Sequence, residues 1–340
     1  MAFLTIKVQK QNHFIVSLSL ALLILQAYCC AMYIHKGYEN IDLVNPVVTI
    51  GIFDGVHIGH KVLLDRLVSS AKEAKAEAVV ITFSPHPRLV LDKDSAGLTF
   101  LSTLKEKIIL LERAKVDHLI IIEFNKEFSR MPACDFVKDV LVGKIRTKNL
   151  IIGYNNHFGR RGEGDFKTIK QCTQSPGFKV EQLEALHSDG GAISSSSIRD
   201  ALLQGKLEVA NKLLGYSYSV SGTVIKGRNI GRSIGFPTAN IRPDDEHKLI
   251  PCRGVYAVEV NLGGIIYKGM LSIGSNPTVN RDSGYRSIEV HIIDFDLDIY
   301  GRDISVIFKK RLRDEIRFES IEKLADQMEL DKQSTIQLLP

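Results

Sequence analysis

Over residues 47–205, short unbroken apolar runs alternate with stretches whose apolar residues recur every three or four positions. The runs "VVTIGIF", "AVVITF", "HLIIIEF" and "NLIIGY" are rich in β-branched residues, as strands buried on both faces are. Between them, "HKVLLDRLVSSAKEAKA", "TLKEKIILLERA" and "CDFVKDVLVGKI" predict amphipathic helices. Strands alternating with helices predict βαβ units and a parallel sheet, hence an α/β domain. After Leu207 the texture changes. "LEVANKLLG" predicts a short bridging helix. Beyond it, "YSVSGTV", "VYAVEVNLGGIIYKGMLSIG", "SIEVHIIDF" and "ISVIFKK" read as strands, split by Gly, Pro and Asn. The Gly263-Gly264 step between alternating runs is a hairpin signal, so this half predicts a small antiparallel barrel or sandwich. An amphipathic helix in "SIEKLADQMEL" is expected to pack on it. No internal repeat or low-complexity tract interrupts this order.

The length of 340 residues accommodates two domains, each with its own core. With 44% hydrophobic and 24% charged residues the chain falls in the globular class. A net charge of +5 suits a protein that handles phosphates without demanding nucleic acid, and none is expected as a partner. The five cysteines, Cys29, Cys30, Cys134, Cys172 and Cys252, form no CxxC or Cys/His ligand spacing. Neither a disulfide framework nor a zinc site is predicted, and the chain reads as one from a reducing compartment. Residues 1–31 are the exception: Lys7 and Lys10 precede "FIVSLSLALLILQAYCCA". Three origins fit this segment: an over-extended stretch before a true start at Met32, a signal peptide, or an anchor. The chemistry below needs intracellular nucleotides, which favours the first and a cytoplasmic protein. Membrane association is expected only if residues 14–31 are retained.

The first chemistry-bearing stretch is "TIGIFDGVHIGH". A parallel strand delivers the chain to the carboxyl edge of its sheet, where ligands bind in open α/β folds. Gly51, Gly55 and Gly59 let backbone approach a ligand, with Phe53 and Asp54 between them. A following helix aims unpaired N–H groups at it. His57 and His60, three apart, can face one phosphate and donate to charge building on phosphorus. Alone, such a pair is better read as a helix cap or metal ligands; its surroundings shift that balance. "ITFSPHPR" puts His86 and Arg88 just past the next strand, and "ISSSSIRD" offers hydroxyls and N–H groups at a helix start, with Arg199 in its first turn.

"GIFDGVHIGH", "FSPHPR" and "SSSSIR" together resemble the HxGH nucleotidyltransferases, and more closely the adenylyltransferase half of the bacterial bifunctional riboflavin kinase/FAD synthetases. The resemblance implies a Rossmann-like domain in which His57 and His60 meet the reacting phosphates. Gly51, Phe53, Asp54, Gly59, Ser195, Ser196 and Arg199 would bind nucleotide or phosphate. His86, Arg88, Asn155 and His157 would lie near the flavin or nucleotide. Asn155 and His157, in "GYNNHFGRRGEGD", stand where that family often shows an aspartate and a basic residue.

The second glycine-rich stretch, "GTVIKGRNIGRSIGFPTANI", lacks the P-loop pattern and has no helix to open. Its glycines alone fit a flexible hairpin. "PTAN" adds information: Thr238 and Asn240 alternate onto one face of a strand beside Pro237, and two neutral oxygen donors suit Mg²⁺ carried by ATP. Glu289, in an apolar run, is the candidate base that activates a hydroxyl. The spaced Asp294, Asp296 and Asp298 do not make an EF-hand, since Ile299 and Ser305 occupy the glycine and glutamate positions.

With "GVYAV", "SIGSNPTV", "EVHIIDFDLDIYG" and "RLRDEIRFESIEKLADQ", this half resembles the riboflavin kinase module in motif order. The resemblance implies a six-stranded antiparallel barrel, metal held at Thr238 and Asn240, Glu289 as base, and an arch containing Gly227, Gly231 and Gly235 over the nucleotide. The basic "KKRLRDEIR" is expected to be a solvated face. The implied layout is an N-terminal extension over residues 1–31, an adenylyltransferase domain over 32–205, a linker helix over 206–215 and a kinase domain over 216–340. The implied chemistry is phosphorylation of riboflavin to FMN, then adenylylation of FMN to FAD with release of pyrophosphate. ATP, Mg²⁺ and flavins would be the only partners of a monomer or weak oligomer. Two rivals remain: a kinase whose first half is impaired, and a nucleotide- or flavin-sensing protein without turnover.

Overall fold

The computed structural model describes residues 32–92, 97–173, 177–188, 191–227, 230–275 and 286–339. The apolar segment over residues 1–31, residues 228–229 of the glycine-rich arch and residues 276–279 of "SIGSNPTV" lie outside the described residues. Two compact units interleave along the chain. One takes the described parts of residues 1–52, 63–90 and 108–183; the other takes those of 53–62, 91–107 and 184–340.

In the first unit the apolar runs become strands β2 (Val47–Ile50), β3 (Ala78–Ser84), β4 (His118–Glu123) and β5 (Asn149–Gly153). Two further strands that the pattern did not announce, β1 (Tyr33–Lys36) and β6 (Lys179–Leu183), extend the sheet at either edge. All neighbours are parallel, in the order β1-β4-β3-β2-β5-β6. β2 ends earlier than "VVTIGIF" suggested, because Phe53 and Gly55 adopt φ of 52° and 78°, which an extended strand cannot hold. Helix α1 (Ile58–Ala74) follows, then α2 (Pro87–Leu91) and α3 (Leu104–Arg113).

"CDFVKDVLVGKI" is not one α-helix. A single turn, α4 (Ala133–Asp135), continues as a π-helix over Phe136–Lys144. The wider turn buries Phe136, Val137, Val140 and Leu141 against Val48, Ile50, Ile120 and Leu150 of the sheet core. Cys134 in α4 and Cys172, the last residue of α5 (Phe166–Cys172), are disulfide-bonded with Cα atoms 5.2 Å apart. This corrects the expectation of unpaired cysteines: packing of two helices makes a pair that 38 residues of sequence separation concealed.

The second unit carries a two-stranded ribbon, β7 (His187–Ser188) with β8 (Gly191–Ala192), then helices α6 (Ser195–Leu203) and α7 (Leu207–Leu214). The barrel follows: β9 (Ser219–Ile225), the short helix α8 (Ile230–Ser233), β10 (Ala239–Pro243), β11 (Gly254–Leu262), β12 (Ile265–Ser275), β13 (Arg286–Ile292) and β14 (Asp303–Arg313). Its strands close in the order β10-β13-β12-β11-β14-β9, antiparallel throughout, so no edge is left open. The β11–β12 hairpin turns at Gly263 and Gly264, both with positive φ, as a two-residue turn of matching twist requires. Val220, Tyr256, Val258, Leu271, Val290 and Phe308 fill the interior, and Ile198, Leu202, Leu207 and Leu214 of α6 and α7 join the same core. Helix α9 (Ile321–Leu338) packs on β11, β12 and β14. Among the described residues no helix is long and apolar enough to cross a membrane.

"KKRLRDEIR" is only partly the solvated face expected. Arg313 reaches in to Asp331 of α9 at 2.6 Å, and that carboxylate is 5% exposed. A second buried pair ties α3 to the barrel. Glu106 caps its own helix by accepting from the Thr103 N–H at 3.0 Å, accepts from Ser221 N–H of β9 at 3.3 Å, and meets Lys248 Nζ at 2.7 Å. Lys248 also donates to Leu101 O at 2.6 Å and lies 4.4 Å from the centre of the Tyr218 ring. Breaking such a pair leaves a charge without its partner. Lys248→Met should therefore destabilise the chain by about 3–5 kcal/mol in urea unfolding, and adding Glu106→Gln should restore part of the loss.

Candidate active sites

The first site is built from the segments 53–62, 91–107 and 184–203. His57 is 6% exposed, and its ring stacks on that of His60 with centroids 3.7 Å apart. A Cβ at Gly59 would stand 3.2 Å from the His57 ring, so glycine clears the space this stacking needs. Phe53, 1% exposed, packs against the other side of the pair, its centroid 5.1 Å from that of His60. Burial draws the His57 pKa down to about 4. Burial, His57 and Lys107 together draw His60 well below the ordinary value. Both rings are therefore neutral at neutral pH. The Nδ1 of His60 is buried with no partner among the described residues, a polar atom left for something the protein does not supply.

Asp54 organises the other half of this site. Its Oδ1 accepts from the backbone N–H groups of Leu101 at 2.8 Å and Ser102 at 3.1 Å, and its Oδ2 meets Arg199 Nη1 at 2.7 Å. Its carbonyl accepts from Ser195 Oγ at 2.9 Å. Burial pushes the carboxyl pKa up, and Arg199, Lys107 and the two N–H groups pull it back. Through these bonds Asp54 holds Arg199 and the start of α6. Arg199 also donates to Ser196 Oγ at 3.2 Å. Ser194, which sequence reasoning did not single out, is the N-cap: it accepts from Ser197 N–H while Ser197 Oγ bonds back. A serine run before an apolar helical period is the signal that could have placed it.

The remaining residues assigned to this half belong to the first unit. Gly51 N–H donates to Ile81 O at 3.0 Å, extending the β2–β3 ladder. His86 Nδ1 accepts from Arg88 N–H at 3.2 Å at the start of α2. Asn155 and His157 are exposed, and His157 lies in the field of Asp165, the N-cap of α5. Asn156 between them does the structural work: its Nδ2 donates to Ile50 O at 2.8 Å, fixing the end of β2.

The second site lies at the mouth of the barrel. Asn240 of β10 is the register partner of Glu289 on β13, and Thr238 Oγ1 donates to Glu289 Oε2 at 3.3 Å. Two cavities meet at Thr238. One, of about 300 Å³, is lined by Glu289 and Ser272 with the apolar Met270, Ile316, Phe318 and Met328. The other, of about 240 Å³, is lined by Pro237, Phe295, Leu297, Asp298 and Tyr300. His291, also not foreseen, holds the motif in place. Its Nδ1 lies 2.8 Å from Pro237 O; a carbonyl only accepts, so that nitrogen carries the proton. Burial keeps the ring's pKa low. A Cβ at Gly227 would fall 2.0 Å from Asn240 Nδ2, and one at Gly231 would fall 2.2 Å from Phe236 O, so only glycine fits at either position beside the motif. Gly235 turns with φ of 82°.

The profile of the FAD synthetase family matches residues 40–197, and that of riboflavin kinase matches residues 214–339. The chain is 38% identical over 306 residues to the bifunctional riboflavin kinase/FMN adenylyltransferase of Escherichia coli K12, covering 88% of this chain and 96% of that one. Against the enzyme of the same description from Listeria monocytogenes it is 37% identical over 292 residues, covering 86% and 92%. The chain belongs to the bifunctional riboflavin kinase/FMN adenylyltransferase family. A solved structure from Streptococcus pneumoniae, titled a macrolide-efflux protein, shares the fold at a TM-score of 0.80 and 30% identity, over 89% of this chain and 98% of that one. The HxGH site and the PTAN site fall within the two matched regions, one in each.

The buried imidazoles make stability depend on pH. Between pH 6.5 and about 4 the unfolded chain binds a proton that folded His57 refuses. Stability is complete above that window and falls as pH drops through it, by up to about 3 kcal/mol from this residue. His57→Asn should give a shallower fall of the urea midpoint across the window than the wild-type chain.

Proposed function

We propose that the two sites divide flavin-nucleotide synthesis between them, the barrel making FMN and the HxGH site converting it to FAD. Family membership makes the chain a riboflavin kinase and an FMN adenylyltransferase; the residue roles, the nucleotide and the metal are our assignment. Residues 32–205 would form the adenylyltransferase, 206–215 a linker and 216–340 the kinase, acting on small molecules in the cytoplasm, where ATP is plentiful.

In the barrel, the cavity rich in Met270, Phe318 and Met328 suits an isoalloxazine ring. The cavity across Thr238, with Phe295 and Tyr300, suits a nucleotide. Glu289 lines the flavin side and touches the residue between the two, so its carboxylate is placed to take a proton from the flavin 5′-hydroxyl as that oxygen attacks the γ-phosphorus. The Thr238 hydroxyl and the Asn240 amide oxygen, beside a carboxylate, are hard donors that fit Mg²⁺ arriving with ATP. Bound there, the ion would neutralise charge on the transferring phosphoryl group.

At the HxGH site an FMN phosphate oxygen attacks the α-phosphorus of ATP, the bond to the β-phosphate breaks and pyrophosphate leaves with the electron pair. The neutral imidazoles of His57 and His60 donate hydrogen bonds to the crowded phosphoryl oxygens, and Arg199 with the α6 N-terminus steadies the outer phosphates. The observation that carries this reading is the unpartnered buried Nδ1 of His60, within a stacked pair that no metal or carboxylate accounts for among the described residues.

Purified protein with riboflavin, ATP and Mg²⁺ should yield both FMN and FAD by chromatography. His57→Ala or His60→Ala should lower FAD formation by ~10²-fold or more while FMN accumulates. Glu289→Gln should block FMN formation yet still convert added FMN to FAD. Equal loss of both activities from either change would contradict separate sites.

A further inference from the structure

Lys107 is a buried cation for which neither site description has a use. It is 7% exposed, one turn into α3, and its N–H donates to Thr103 O at 2.9 Å. That fixes it next to the turn whose Leu101 and Ser102 N–H groups hold Asp54. Its ammonium forms no ion pair or hydrogen bond among the described residues. Neighbouring Glu106 is already engaged by Lys248 at 2.7 Å, and Asp54 by Arg199 at 2.7 Å. The groups whose charge Lys107 feels and imposes are Asp54 and His60. Around Asp54, then, two cations, Arg199 and Lys107, stand against one carboxylate, beside two imidazoles that carry no charge. A desolvated excess positive charge is expensive unless an anion comes to meet it.

We propose that Lys107 binds the outer phosphates of the nucleotide at the His57–His60 site and takes up the negative charge that develops on departing pyrophosphate. The inference rests on the adenylyl-transfer reading of that site. The step itself is unchanged: the α-phosphorus passes from the β-phosphate oxygen to the FMN oxygen, and the electron pair of the broken bond ends on pyrophosphate. Lys107 supplies a full charge at the leaving group, where a compact ammonium is suited to phosphate. Burial lowers its pKa to about 8, a strain that an incoming phosphate relieves. A merely structural lysine, present to balance Asp54, would not distinguish nucleotides by the length of their phosphate chain.

That difference is the test. Full-length wild-type, Lys107→Gln and Lys107→Arg chains are compared for KM of ATP in FAD formation from added FMN, and for binding of AMP and of inorganic pyrophosphate by calorimetry. FMN formation at the barrel and the thermal midpoint report folding. Lys107→Gln should raise KM for ATP and weaken pyrophosphate binding by roughly 10- to 100-fold, with AMP binding altered little and Lys107→Arg recovering part of the loss. Unchanged KM and pyrophosphate affinity in Lys107→Gln would overturn the assignment. So would equal weakening of ATP, AMP and pyrophosphate with a lowered thermal midpoint, which is the signature of a structural role. A wild-type chain that makes FMN but no FAD would instead overturn the reading on which the assignment stands.

Discussion

The carboxylate of Asp54 is the constraint from which the nucleotidyl-transfer site follows. Four separate points of the chain end on this one residue: the N–H groups of Leu101 and Ser102, the guanidinium of Arg199 and the hydroxyl of Ser195. A buried carboxylate is stable only when its oxygens are fully engaged, so the segments around residues 54, 101 and 195 cannot shift independently. The histidine pair starts three residues after this knot, and Gly55, whose N–H donates to Ser102 Oγ at 3.0 Å, links the two. Asp54 is the support on which Arg199 and the start of α6 are mounted.

The same economy holds in the barrel. Closure makes β9 and β10 neighbours although the glycine-rich arch separates them, and the β10–β13 pairing sets Asn240 opposite Glu289. His291, two residues along β13, then grips Pro237 and fixes where Thr238 enters. A carboxylate and an amide come together through backbone ladders, and the Thr238 hydroxyl just before β10 joins them. Ladder geometry is stiffer than any loop could be, which is what positional catalysis of phosphoryl transfer requires. Gly227 and Gly231 leave space beside Asn240 and Phe236 that a Cβ would fill.

Charge is handled differently in the two places. In the barrel Thr238, Asn240 and Glu289 are half-buried, a hydroxyl and an amide beside one carboxylate. At the HxGH site the protein holds its own cations in desolvated surroundings and keeps its imidazoles neutral, so donors are in place before substrate arrives and little reorganisation remains. The cost appears as ion pairs, half-buried Arg199 with Asp54 and buried Lys248 with Glu106, whose value is positional more than energetic.

By itself the sequence determined the elements and the chemistry on offer. Continuous β-branched runs named four strands of the parallel sheet; alternation and the Gly263-Gly264 turn named the antiparallel half. HxGH, SSSS and PTAN named the candidate groups, because motifs, period and composition are local properties. Tertiary structure alone decided the rest. The edge strands β1 and β6 carry too few apolar residues to announce themselves, and the π-helix at residues 136–144 follows from what it packs against. The Cys134–Cys172 bond, the capture of Arg313 by Asp331 and the pairing of Asp54 with Arg199 all join residues that no local pattern connects. Glu106 and Lys107 look, in "TLKEKIILLERA", like the solvated face of a helix; burial gives them their meaning, and burial is a property of neighbours that no stretch of sequence contains.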